Sequence, residues 1–224
     1  MRYVVAAFLC GLVLGTALPA VAEPVGLVQK IQNTAYGTPP AGSRAPKQPR
    51  DAVEFNERIE TASNSAIEIG FVDGSSLTLG AQSDILIDSF VFDSDAESGE
   101  ALVTLSRGAF RWVTGVLPAQ NIRIDTPIAT IALRGTTLLI GVRPNGNSII
   151  ALLSGLVTVT PKGGGAPVDL VAGQSALVSP DGIDVLDQIL SVADAIVDGG
   201  WRNATNLQRN RGGDSRSGGS SNHD

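Results

Sequence analysis

The chain has 224 residues, 43% of them hydrophobic, with 16 Lys plus Arg against 22 Asp plus Glu. One Cys and one His leave almost no material for metal or nucleophile clusters built from those residues. A net charge of −6 argues against a nucleic-acid partner, which needs a basic face. The length supports one or two domains with a true core.

Met1, Arg2 and Tyr3 precede an apolar run of 12 residues, Val4–Gly15, and then Thr16 to Ala22. That order predicts a secretory signal peptide over residues 1–22, cut between Ala22 and Glu23 after the small residues Ala20 and Ala22. The run is shorter than the roughly 20 residues that span a bilayer. Cys10 follows Leu9 rather than the small residue of a lipoprotein signal, so neither a membrane anchor nor a lipid is expected. Cleavage leaves 15 basic against 22 acidic side chains, a net −7, and no cysteine. A mature chain of this kind is held by its core without disulfides, and its expected place is the periplasm or the exterior, not across the membrane.

In chain order, a strand is expected at Gly26–Ile31. Thr38–Gln48, with Pro39, Pro40 and Pro46, reads as an exposed loop because proline donates nothing to a strand ladder. From Ile67 the apolar residues fall at every second position: Ile67, Ile69 and Phe71, then Leu77 and Leu79, then Ile85 and Ile87. This is the period of half-buried strands. Asp73-Gly74 between the first two runs suits a tight turn, so Ile67–Leu79 reads as a hairpin. Further short strands follow at Leu102–Leu105, Phe110–Val113, Ile122–Ile124, Ile128–Leu133, Leu138–Val142, Ile149–Leu153, Leu156–Val159, Val168–Val171 and Ala176–Val178. Stretches such as Ser106-Arg107-Gly108 and Ser154-Gly155 read as the turns between them.

The expected fold is all-β, with many short antiparallel strands in a sandwich or a short β-helix-like stack. One C-terminal helix is expected at about 186–198, where Leu186, Ile189, Leu190, Ala193, Ile196 and Val197 recur at helical spacing before Gly199-Gly200. A helix with one apolar stripe packs on its own domain or docks a partner. Residues 202–224, rich in Asn, Gly and Ser, read as a disordered tail. One domain is therefore expected over 23–201, with its core at 55–180.

Within that strand series lie Asn56-Glu57-Arg58-Ile59-Glu60-Thr61, Phe71-Val72-Asp73-Gly74-Ser75, Ser106-Arg107-Gly108-Ala109-Phe110-Arg111-Trp112, Asp125-Thr126-Pro127-Ile128-Ala129-Thr130-Ile131, Leu133-Arg134-Gly135-Thr136 and Ser154-Gly155-Leu156-Val157. In order and spacing these resemble the FecR domain family of exported bacterial proteins. The resemblance implies an extracytoplasmic β-rich sensing or binding module, best known as the periplasmic part of regulators that relay iron-siderophore signals from an outer-membrane receptor to a sigma factor. Those regulators carry a cytoplasmic N-terminal region and a transmembrane helix. Here a signal peptide is read from Met1, so a stand-alone exported FecR-domain protein is expected.

Four residues are candidates for ligand or partner binding: Arg134, Thr136, Phe110 and Trp112. Arg134 lies in an apolar strand pair beside Gly135 and the Thr136 hydroxyl, which suits a ligand carboxylate. Internal pairing with an acid such as Asp125 explains it more simply. Phe110 and Trp112 point to one face of a strand; exposed, they suit a glycan or peptide, whereas core packing is the commoner fate.

Asp93 to Glu100 alternates carboxylates as a calcium loop does, but Ser98 stands where such a loop wants Gly, and a charged hairpin turn accounts for the same residues. No metal or cofactor is expected. Asp73, Asp88 and Asp93 could pair as acid and base, although the one histidine, His223, lies in the tail. The expected role is non-catalytic: sensing or scaffolding through an envelope protein partner. The alternative is carbohydrate or peptidoglycan binding, and a hydrolase on paired carboxylates is the third reading.

Overall fold

The computed structural model describes residues 24–96, 98–118 and 121–190. The expected signal peptide, the tail and residues 191–198 of the expected helix lie outside the described residues. Leu186, placed in that helix from its spacing, instead ends a strand.

The described residues form fifteen strands: β1 (Gly26–Gln32), β2 (Ala35–Thr38), β3 (Ala45–Pro46), β4 (Ala52–Val53), β5 (Arg58–Thr61), β6 (Ala66–Phe71), β7 (Ser76–Leu79), β8 (Asp84–Asp93), β9 (Ser98–Val113), β10 (Ile122–Asp125), β11 (Ala129–Val142), β12 (Ser148–Pro161), β13 (Val168–Val171), β14 (Ser175–Ser179) and β15 (Gly182–Leu186). The expected hairpin is β6 and β7, with Ile67 opposite Leu79. The Pro-rich stretch is exposed apart from its ends, and Ala45–Pro46 adds two residues to the edge of β2.

Three strands are far longer than their apolar runs suggest. β9 has 16 residues and β11 and β12 have 14 each; β9 and β12 run through a glycine that reads as a turn in the sequence, and β11 runs through Gly135, between two strands expected separately. Gly108, Gly135 and Gly155 take φ of 113°, 63° and 87°, so the chain bends there and continues as strand. At Gly155 a Cβ would meet the Gly135 carbonyl oxygen at 2.2 Å, so the two bent strands pass backbone on backbone.

The bends sort the hydrogen-bonded strands into two layers. Layer one runs β3, β2, β5, β8, the first half of β9, β10, the first half of β11, the second half of β12, and β13. Layer two runs β4, β1, β6, β7, the second half of β9, the second half of β11, the first half of β12, β14 and β15. The pairs are antiparallel except β9 with β10, which is parallel, with Ile122 beside Ala101. Through β9, β11 and β12 the two layers are one continuous fifteen-stranded sheet, all-β as expected.

One apolar core fills the space between the layers. Ile59, Ile85, Leu105 and Ile131 enter it from layer one, and Ile67, Leu79, Phe110 and Ile150 from layer two. At about 25 cal/mol per Å² of apolar surface, this burial is the main stabilising term in a chain without disulfides. Two of the buried acids are answered by cations. Glu57 meets the Lys47 ammonium at 2.6 Å, and both Asp84 oxygens take the Arg58 guanidinium. The hydrogen bond that Arg58 donates to Asp84, then the charge of that carboxylate, raises the Arg58 pKa above the ordinary guanidinium range.

Candidate functional site

Layer two has two ends, set by the pairing of β9 with β11: Val113 opposite Thr137 at one, Gly108 opposite Val142 at the other. The first end gathers most of the chemistry that the sequence singles out. Asp73, 2% exposed, accepts from the Ser75 backbone N–H at 2.9 Å through Oδ1. Its Oδ2 accepts from the Ser75 hydroxyl at 2.6 Å and from the Leu117 N–H at 3.4 Å. Ser75 Oγ in turn accepts from Gly115 N–H at 2.8 Å, and the Asp73 carbonyl accepts from Val116 N–H at 2.9 Å. The Asp-Gly turn is thereby bound to the end of β9, and its carboxylate is used up in doing so.

Thr136, 3% exposed, exchanges backbone contacts with Thr114: the Thr114 N–H reaches the Thr136 carbonyl at 3.0 Å, and the Thr136 N–H reaches Thr114 Oγ1 at 3.3 Å. The indole N–H of Trp112 donates to the same Thr114 Oγ1 at 3.2 Å. Trp112 and Phe110 are 0% exposed, and Trp112 packs against Phe71, whose ring stacks on Phe90 at 4.6 Å. The possible exposed aromatic pair is therefore corrected: both rings face the inter-layer core, because the side of β9 that carries them is the inner one. Thr136 is likewise a structural hydroxyl with no opening to a ligand.

Arg134 is exposed beside the Gly135 bend, and no ion pair ties it to an acid among the described residues. Asp125 is instead held by Lys162 at 3.0 Å and by the Thr130 hydroxyl at 2.8 Å, and Lys162 also donates to the Thr126 carbonyl. The Asp125-Thr126-Pro127 turn is thus closed by a lysine 37 residues after Asp125. Asp93 Oδ1 accepts from the N–H groups of Asp95 and Ala96, as a hairpin turn requires. Asp88 and Asp93 lie five residues apart along extended β8, about 17 Å, too far to share a substrate atom. Among the described residues no three His, Cys, Asp or Glu side chains are grouped to hold a metal ion.

The other end of layer two opens into a cleft of about 670 Å³. The chain crosses here between layers at Thr61–Ser63, Ala81–Gln82 and Arg107–Gly108, and the turn after β11 adds Val142, Arg143 and Pro144. Its floor is stitched together. Thr61 Oγ1 donates to the Gly80 carbonyl at 2.6 Å and accepts from Ser83 N–H at 2.9 Å, and Ser83 Oγ accepts from Ala109 N–H at 3.2 Å. A Cβ on Gly108 would strike Ser83 at 2.2 Å, so this bend admits no side chain.

Three guanidinium groups line the walls. Arg44 is spanned between Glu60, at 2.9 Å, and the face of Tyr36, 3.4 Å from the ring centroid. The Glu60 hydrogen bond raises the Arg44 pKa. Arg107 is exposed; its register partner across β8 is Asp84, whose carboxylate is already taken by Arg58. Arg143 also lines the cleft and has a partner within the chain. Glu60 is the one carboxylate in the lining, and no aromatic ring belongs to it. These residues come from four separate stretches of chain, and nothing in the sequence places them together.

Comparisons with known proteins locate the fold's signature. Residues 57–158 match the model of the FecR protein family. Two crystal structures of a candidate anti-sigma factor from Parabacteroides distasonis ATCC 8503, at 2.50 and 1.65 Å resolution, superpose with TM-scores of 0.49 and 0.47 and 14% identity. Each superposition covers 62% of both chains. No curated protein matches the chain. No helix of the described residues is long and apolar enough to cross a membrane. Every residue lining the cleft except Arg44 falls inside the stretch 57–158 that matches the FecR model.

Proposed function

We propose that the chain is an exported, non-catalytic FecR-domain module that acts in the periplasm or outside the cell, in sensing or scaffolding, by binding an envelope protein. The arginine-lined cleft is its contact. The observation that carries this reading is the placement of Arg107: an exposed guanidinium, at a concave corner of the FecR-matching region, whose cross-strand register partner Asp84 is held by another arginine. A guanidinium fork matches a carboxylate in two parallel hydrogen bonds, so an acidic side chain on a protein partner suits this wall.

A glycan reader would need a ring platform, and the cleft lining has none. With Phe110 and Trp112 inside the core, the carbohydrate reading keeps no aromatic support. The hydrolase reading has no pair of carboxylates brought together from Asp73, Asp88 and Asp93.

The test is photo-crosslinking in cells, with the reactive residue at Ser63 in the cleft or at Arg123 on β10 of layer one. The expected result is one reproducible envelope protein captured from Ser63 and lost in an Arg107→Glu variant. Capture from Arg123 alone would move the contact away from the cleft, and capture from neither position would overturn the binding role. Fractionation with N-terminal sequencing checks export, with a soluble product starting at Glu23 expected.

A further inference from the structure

The outward face of layer two is unlike the wet side of an ordinary antiparallel sheet, which is polar and solvated. Cross-strand partners carry one row of outward positions over it: Ser175, Ala151, Leu139, Arg111 and Thr78. All but Arg111, which is half-buried, are buried. In the next row Ile149 and Ala109 are buried too, and with Leu139 and Ala151 they form a second apolar cluster separate from the core. Leu177 and Leu190 pack against it.

The chain itself leads onto this face. After β15, Asp187 Oδ1 accepts from Gln174 Nε2 at 2.7 Å. Ser175 Oγ donates to the Gln188 carbonyl at 2.8 Å and accepts from the Leu190 N–H at 2.9 Å. Leu190 is thus pinned over the cluster with 34 residues still to follow. Leu190, Ala193 and Val197 fall on one helical stripe, with Ile196 on its flank. Gly199-Gly200 then ends the run, with Trp201 directly after it.

We propose that residues 190–201 dock across the outward face of layer two as a third layer, the helix 190–198 covering Ala109, Leu139, Ile149 and Ala151. The dimensions agree. The cluster spans β14, β12, β11 and β9, three strand spacings or about 14 Å. Nine helical residues rise about 13.5 Å. Trp201 then arrives one strand further on, over buried Thr78 of β7. This occupant closes the outward face and leaves the arginine-lined cleft as the open surface.

Because the mature chain has no cysteine, a single thiol can report on the face. In a Cys10→Ser background, Ala151→Cys should react with a thiol reagent at least about tenfold more slowly than Ser63→Cys. Val197→Asp should raise the Ala151→Cys rate by about the same factor, with the Ser63→Cys rate and the far-ultraviolet β signal unchanged. On the otherwise unaltered chain, the emission lost in Trp201→Phe should be blue-shifted and poorly quenched by acrylamide. Labelling of Ala151→Cys that is indifferent to Val197→Asp, or a Trp201 emission like that of free tryptophan, would overturn the proposal. So would protection that fades on dilution, which would place a second copy of the chain on this face.

Discussion

The two ends of layer two hold similar polar residues and use them in opposite ways. At the Asp73 end, both carboxylate oxygens, the Ser75 hydroxyl, Thr114 and the Trp112 N–H answer one another inside the protein. At the Arg107 end, side chains from distant stretches face a cleft, and one of the guanidinium groups has lost its cross-strand acid to Arg58. The residues that make the FecR signature recognisable are thus spent largely on closing turns and corners. The cleft positions, by contrast, can vary in chemistry without disturbing the packing of the layers.

Substitutions at each end should break this contrast if it is wrong. Trp112→Ala removes the largest fully buried side chain among the described residues and its bond to Thr114, and should lower unfolding free energy by about 4 kcal/mol in urea titration. Asp73→Ala orphans the Ser75 N–H, the Ser75 hydroxyl and the Leu117 N–H, with an expected loss of about 3 kcal/mol by the same measurement. A midpoint unchanged from the parent would mean that Asp73 is not structural, and would return it to the list of functional acids. Arg107→Gln should stay within about 0.5 kcal/mol of the parent, since the side chain is exposed, and yet abolish capture of the partner from Ser63. If Arg107→Gln proved as destabilising as Asp73→Ala, the two ends would not differ in kind.

Much of this architecture is legible from alternation. Ile67, Ile69, Leu77 and Leu79 set the hairpin and its inward face, and the two-residue spacing of Phe110 and Trp112 puts both rings on one side. Spacing does not tell which side, because core and solvent faces alternate identically along a strand. Gly108 and Gly155 read as turns, and Gly135 as a break between two strands, for a physical reason: a positive φ serves a reversal and a bend equally well. Hence β9, β11 and β12 each read as two strands. The parallel pairing of β9 with β10 depends on where the intervening chain returns, and no local pattern encodes that. The cleft is the least legible part, since Arg44, Glu60, Arg107 and Arg143 are neighbours only through topology.

The three bent strands also govern how the molecule yields. A sandwich of two independent sheets can shear along its core as plates slide, or lose one plate first. Here β9, β11 and β12 belong to both plates, with β9 turning at one corner and β11 and β12 turning together at the other. The covalent backbone itself ties the plates like a hem sewn at opposite corners. A pull applied at Arg107 passes along β9 directly into layer one, without relying on side-chain friction across the core. Such a body is expected to unfold in one cooperative step rather than one layer at a time.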